Sequence, residues 1–431
     1  MNRLLLYHTV NHKKLHKFAI FMFICILTLH GTYFQRGFSD AGPPDTDWLV
    51  IVRLLACSIG FIVGIILIPK TAKWGFGAKA LLFYVFATGI SAINSPYPVT
   101  VIGYFSLLLG ASFLMIGLVY YSKYLVQLEQ LEHIWFMTVS VLVLKDAITN
   151  LLFQILPESG DVIRLGSITH PTQLSFFAGL LFWLSFRQKR SKYSPILWLL
   201  RAFLFYVLIA AVSRGPIAAF LFGGFVFVFF RKKDPFARWR EVCIGISIIF
   251  IFLLSLSFEQ GWSGKIVTYM KRGQDTAGLT TFTGRTLVWR KVLNKSLESP
   301  IIGHGYGISR FTIGVVPADF SNPSNSHNEV LEVFFNTGLI GLIPFLGMLI
   351  YSLKWMMNHS RLRRSTSTDL AVHAVCVIVM LIVSSIFETR LSGRTNPIHL
   401  LFIFYLLIID VENCLLMEKD HLFLDKKKGT K

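Results

Sequence analysis

Three short motifs hold residue types that can steady a charged leaving group and move a proton. Ser326-His327-Asn328-Glu329 has the S-x-x-E form of a capping box, set where a long apolar run begins. In this reading Ser326 caps a helix, Glu329 reaches back, and His327 sits in the first turn. A helix start offers free N–H groups and partial positive charge, which draw phosphate and favour a ring that accepts a proton. A well-capped helix with a solvated histidine would carry the same letters. Ser213-Arg214-Gly215-Pro216 joins two apolar runs with almost no loop. Pro216 suits a first helical turn and Gly215 permits a tight reversal, so Arg214 is pinned at a membrane boundary. Anion contact and snorkelling to headgroups both fit it. Arg285 follows Thr283-Gly284 at the start of an amphipathic segment. Trp289, Leu293 and Leu297 fall at i, i+4 and i+8, with Val288 and Val292 beside them and Arg290, Lys291 and Lys295 on the other side. Two arginines and a histidine at helix starts suit a diphosphate leaving group next to a base that deprotonates a hydroxyl.

Weaker candidates surround this set. Pro300 ends the amphipathic helix, and Gly303-His304-Gly305-Tyr306-Gly307 supplies a flexible turn that lacks the Gly-Lys-Ser/Thr of a phosphate-binding loop. His304, Tyr306 and Asn328 are candidates for sugar or diphosphate contact, as is Arg53, about two turns inside the second apolar run. Glu388, Arg390 and Arg394 lie in the last external loop, where an acceptor sugar could reach them. Trp262, Tyr269, Trp289 and Tyr306 could stack on sugar rings, although interfacial anchoring is the commoner use of such aromatics. Asp45-Thr46-Asp47 has the spacing of a divalent-metal pair, but it sits in a short proline-containing loop, and no metal or cofactor is expected. Lys145 and Asp146 fall mid-span on different helix faces and read as structural partners of other helices.

The elements that position these residues are membrane helices. The 431 residues are 54% hydrophobic and 15% charged, with mean hydropathy +0.59, whereas soluble domains are roughly 25% charged. The net charge of +19 falls in short clusters between apolar runs, not in the aromatic-interleaved patches of a nucleic-acid binder. Five cysteines lie in or beside apolar runs and suggest neither a disulfide framework nor a zinc site. Candidate spans are 17–34, 48–68, 76–94, 99–121, 133–155, 169–186, 194–213, 215–230, 241–258, 329–353, 370–388 and 397–415, about twelve in all. Lys13, Lys14 and Lys17 precede the first span, which reads as a retained helix. Basic clusters alternate with basic-poor connections, which puts both termini in the cytoplasm and the stretch from Phe258 to Glu329 outside. The expected organisation is an N-terminal bundle over 1–258, an external loop over 259–328, C-terminal spans over 329–415 and a basic cytoplasmic tail over 416–431.

Gly284-Arg285-Thr286-Leu287-Val288-Trp289, Ser299 to Gly307, and Ser326-His327-Asn328-Glu329 followed by Gly338 and Gly341 resemble the O-antigen ligase/polymerase family, which includes exopolysaccharide polymerases. The resemblance covers 205–350 well; earlier it rests on the number of helices and a loose segment from Gly166 to Gln173. It implies an all-α, GT-C-like inner-membrane glycosyltransferase, metal-independent and inverting, that uses undecaprenyl-diphosphate-linked glycan. Arg214 and Arg285 would hold the diphosphate and His327 would activate the acceptor, with a chain-length regulator as a further partner. Thr-Gly-Arg-Thr with its Trp, and Gly-Tyr-Gly, lean toward a repeat-unit polymerase over a ligase acting on lipid A core. A flippase or transporter shares the span count and orientation, but such folds often show two-half repeats and helices interrupted at mid-membrane, and the sequence displays neither.

Overall fold

The computed structural model describes residues 2–31, 48–122, 125–154, 171–187, 194–211, 213–231, 285–313, 326–357, 368–386, 388–391 and 396–428. Asp45, Asp47, Trp262, Tyr269, Thr283, Gly284, Arg394 and the ninth candidate span, 241–258, lie outside them. Among the described residues there are helices and no strands. They are α1 (Asn2–Gly31), α2 (Trp48–Leu67), α3 (Phe76–Ile90, extended by a 3-10 turn at Ser91–Asn94), α4 (Pro98–Tyr121), α5 (Leu125–Gln154), α6 (Pro171–Leu184), α7 (Ser194–Ala210), α8 (Arg214–Arg231), α9 (Arg285–Ser296), α10 (Ser309–Thr312), α11 (Glu329–Met357), α12 (Thr368–Ser385) and α13 (Pro397–Lys428). Proline opens α4, α6 and α13, where a missing N–H is no loss.

Among the described residues six stretches are long and apolar enough to cross a bilayer: Lys14–Gly31, Trp48–Leu67, Phe76–Asn94, Pro98–Tyr121, Glu329–Met357 and Pro397–Cys414. The apolar helices Pro171–Leu184, Pro195–Ala210, Gly215–Phe230 and Leu370–Ser385 are shorter. α5 has the length but carries Glu129, Glu132, Lys145 and Asp146. Large apolar side chains such as Ile62, Phe83 and Leu199 point outward, as lipid contact requires. The chain is a polytopic membrane protein.

Lipid gives helices no hydrophobic reason to associate, so close backbone approach must supply it. Among the described helices α2 and α4 form the most extensive pair. A Cβ at Gly64 would lie 2.3 Å from the Phe113 carbonyl oxygen, and one at Gly110 would lie 2.1 Å from that of Cys57. The first half of α13 is enclosed on nearly all sides, touching α3, α4 and α12. Toward the end of that half Asp410 is buried and accepts the Gly77 and Ala78 N–H groups at 2.9 and 2.8 Å. One helix thereby caps the start of another, α3, with a side chain more than three hundred positions away. Tyr120 and Tyr351 donate to the same carboxylate. Past its apolar part α13 continues as helix to Lys428, so the basic tail expected from 416 onward is helical through that residue.

α11 is interrupted. Gly338 has φ 58° and ψ −160° inside it, a left-handed setting that glycine tolerates. The break orphans backbone groups on both sides, and the turn after α9 satisfies them. His304 and Gly305 donate to the Phe335 and Asn336 carbonyls at 2.9 and 3.0 Å, while Leu339 and Ile340 donate to those of Pro300 and Ile301 at 2.8 and 3.1 Å. Absence of interrupted helices was one reason to set a transporter aside; the structure contains one. Its gap is filled by protein backbone.

Candidate active site

His327 lies two residues before α11, not in its first turn. Asn328 is the cap: its Oδ1 accepts the Leu331 N–H at 3.1 Å, and its own carbonyl accepts Glu332 N–H at 2.9 Å. The capping box is therefore not formed as expected. Ser326 Oγ closes a local turn onto the Asn328 carbonyl at 2.7 Å. Glu329 turns inward, where its carboxylate accepts the backbone N–H groups of Arg390 and Leu391 at 2.5 and 2.8 Å. Glu329 is buried, and sequence spacing gives no sign of partners sixty residues downstream.

This arrangement leaves His327 at φ 51°, the one non-glycine residue with positive φ among the described residues. Such a conformation costs energy and persists only where its surroundings impose it. They do so here. Ser326 N–H donates to Glu332 Oε2 at 2.9 Å, Glu332 Oε1 accepts the Ser309 hydroxyl, and Trp289 Nε1 donates to the Ser326 carbonyl at 3.0 Å.

The ring that results points at Glu388. Its Nδ1 lies 3.2 Å from Glu388 Oε2, and Arg285 Nη2 lies 3.0 Å from Oε1 of the same carboxylate. Arg285 is the first residue of α9, and Glu388 follows the end of α12. Three separate elements thus meet at one carboxylate. Glu388 is buried while both its partners are partly exposed. Burial pushes its carboxyl up, but the hydrogen bond with His327 and the positive charges of Arg390, His327 and Arg285 outweigh that, holding it down at about 2. A carboxylate can only accept, so Nδ1 carries the proton; in the neutral ring Nε2 then carries the lone pair. An imidazole oriented in this way can take a proton from a hydroxyl, beside a guanidinium able to meet an anion.

The other expected residues have different positions. Arg214 begins α8, with the buried Ser213 accepting the Ile217 N–H at 3.3 Å; the side chain of Arg214 is outside the described residues. Arg390 is 2% exposed, too enclosed to touch sugar. It donates to the Thr172 carbonyl at 3.0 Å and to Ser384 Oγ at 3.2 Å, with its guanidinium over the Phe176 ring. Its place is behind Glu388, tying that segment to α6. Tyr306 is 0% exposed, and Ser91 Oγ accepts its N–H at 3.0 Å; burial pushes its phenol well up. It packs inside the protein and cannot stack on a sugar. His304 donates from Nε2 to the Lys295 carbonyl at 2.6 Å and stacks on Phe335, clasping α9 to α11. Asn328, besides capping, reaches the Ile386 carbonyl at 3.3 Å. Arg53 donates to the Leu29 carbonyl at 2.9 Å, tying α2 to the last turn of α1. Lys145 is exposed, and Asp146 lines a small, mostly apolar cleft with Leu142, Leu174 and Phe177. Glu388 itself was visible only as a polar residue in the last external loop.

Residues 199–346 match the O-antigen ligase family model. Proteins named "Putative polysaccharide ligase" from Rickettsia bellii and Rickettsia conorii are each 26% identical to the chain, over 179 and 164 residues. Those alignments cover 39% and 36% of this chain and 41% and 38% of the relatives, so the chain spans about two-fifths of their length. The matched segment holds Arg285, His327 and the break in α11 at Gly338, and over it the chain is similar to the O-antigen ligase family.

Proposed function

We propose that the chain is a membrane glycosyltransferase that moves glycan from a polyprenyl diphosphate, undecaprenyl diphosphate in a bacterial inner membrane, onto an acceptor hydroxyl. The convergence of His327, Glu388 and Arg285 carries the reading. Glu388 holds the tautomer, and Nε2 of His327 takes the hydroxyl proton as that oxygen attacks the anomeric carbon. The carbon–oxygen bond to the diphosphate breaks with its electron pair leaving on the diphosphate, and in-line attack inverts the centre. Arg285 can pair with Glu388 through one edge of its planar fork while another edge meets the diphosphate. Arg214 joins it from the start of α8. The two guanidiniums supply the charge that a metal supplies in other phosphate chemistry. The site faces the periplasm and both termini are cytoplasmic, with residues 259–328 as the external loop between the segments 1–258 and 329–415.

Two acceptors fit this chemistry. The Thr-Gly-Arg-Thr and Gly-Tyr-Gly motifs lean toward a growing chain, hence a polymerase; the ligase names of the family model and the relatives lean toward a lipid acceptor such as lipid A core. Purified protein incubated with lipid-linked repeat units separates them. Longer glycan on the same lipid means polymerase, and transfer only when lipid A core is supplied means ligase. His327→Ala is expected to lower transfer by about 10²- to 10⁴-fold. Undiminished glycan formation by that variant would remove the base and revive a transport function.

A further inference from the structure

α9 and the turn after it carry two apolar surfaces, and only one is used inside the protein. Val288 and Val292 pack against Ile313 and Phe335. Leu293 on α9, and Leu297 and Ile301 in the turn after it, are exposed. Trp289, expected on the outward stripe, instead spends its indole N–H on the Ser326 carbonyl.

The exposed stripe is continuous with surfaces that face lipid. The hydrogen bond from Ile340 N–H to the Ile301 carbonyl, at 3.1 Å, sets Ile301 beside Ile340 and Ile343, exposed residues of α11. Asn94 Nδ2 donates to Ser299 Oγ at 2.9 Å, which brings the same corner against exposed Ile93. Ile93 tops the outward stripe of Phe83, Phe86 and Ile90 along α3. The apolar walls of two membrane helices therefore run up to α9, joined at this corner by the exposed Asn94–Ser299 hydrogen bond. Arg290 is exposed and, at helical spacing, flanks Leu293 and Leu297, while Lys291 and Lys295 fall on the far side. An apolar stripe edged by a cation is the pattern of a helix lying in the plane of a bilayer.

We propose that α9 is seated in the leaflet at this end of the bundle, with Leu293, Leu297 and Ile301 in the acyl boundary and Arg290 at the phosphates of anionic phospholipid headgroups. The bilayer then sets the depth of the site. Arg285 begins this helix, and Trp289 grips the residue before His327, so one rigid element fixes the height of both against the headgroup plane. That consequence, unlike the seating itself, rests on the proposed reaction of a lipid-borne diphosphate.

The test uses the full chain with its five cysteines replaced, in nanodiscs of phosphatidylethanolamine and phosphatidylglycerol. Spin labels are placed singly through Leu297→Cys, Ile301→Cys and Asn294→Cys. Accessibility to oxygen, which concentrates in lipid, is compared with accessibility to a water-soluble nickel chelate. The labels at 297 and 301 are expected to favour oxygen, with nickel accessibility several-fold below that at 294. Equal nickel accessibility at all three overturns the seating. Since no glycan enters the measurement, its failure and a failure of the glycosyl-transfer reading are separate results.

Discussion

At the scale of single residues, Glu388 joins what the chain keeps far apart: it lies 61 positions from His327 and 103 from Arg285. Glu388→Gln keeps the shape but gives the imidazole an amide that can present either a donor or an acceptor, so the tautomer is no longer fixed. Transfer is expected to fall by about 100-fold or more, with folding retained, as steady-state rates alongside thermal unfolding would show. The carboxyl is held at about 2 against an ordinary 4.5, so the stability it contributes is full above 4.5 and is lost as pH falls from there through about 2. Arg285→Ala removes one of the charges that lower it. The acid-induced loss of stability carried by Glu388 in that variant should be smaller and finish at higher pH than in the wild type, read as unfolding midpoint against pH. An unchanged acid limb would mean that Arg285 does not act on Glu388.

At the scale of elements, the interrupted α11 and the turn after α9 form one unit. A Cβ at Gly338 would lie 2.3 Å from Ile301 backbone atoms, and one at Gly303 would lie 2.5 Å from the Thr337 nitrogen. Gly338→Ala is therefore expected to cost about 1–3 kcal/mol through the backbone conformation alone, with more from the clash. The exchanged hydrogen bonds should loosen together, seen as faster amide exchange at His304, Gly305, Leu339 and Ile340 and a lower unfolding temperature. Protection unchanged at those four amides would separate the turn from the break. Activity should fall as well, because α9 carries Arg285 and His304 clasps α9 to α11.

At the scale of the whole molecule, the bundle is held by close glycine contacts and by buried carboxylates that each collect several donors. Asp410 ties α13 to α3, α4 and α11 through two backbone N–H groups and two phenols. Asp410→Ala strands those donors inside the protein and should cost about 3 kcal/mol, measured as a drop in unfolding temperature in detergent. The protein that remains folded should still transfer glycan, since Asp410 lies more than three turns into α13 and Glu388 precedes that helix. Wild-type stability in this variant would show that the cap of α3 is dispensable.

Apolar length and sparse charge determined the helices, because a chain in lipid must satisfy its backbone within each segment. Local spacing also found Arg285 at the start of α9 and the tight Ser213–Pro216 junction, since helix starts leave a signature within four residues. The same signature misled at Ser326: its letters fit a capping box, yet Asn328 caps, because Glu329 is worth more inside, where it holds the 390–391 backbone. Tyr306, His304 and Arg390 looked like surface groups since polarity in sequence does not record burial. Glu388 as the meeting point, the gap in α11 and the turn that fills it depend on contacts between segments far apart in the chain. Side-chain period describes one helix at a time; which helices meet, and at what height, was decided only by their packing.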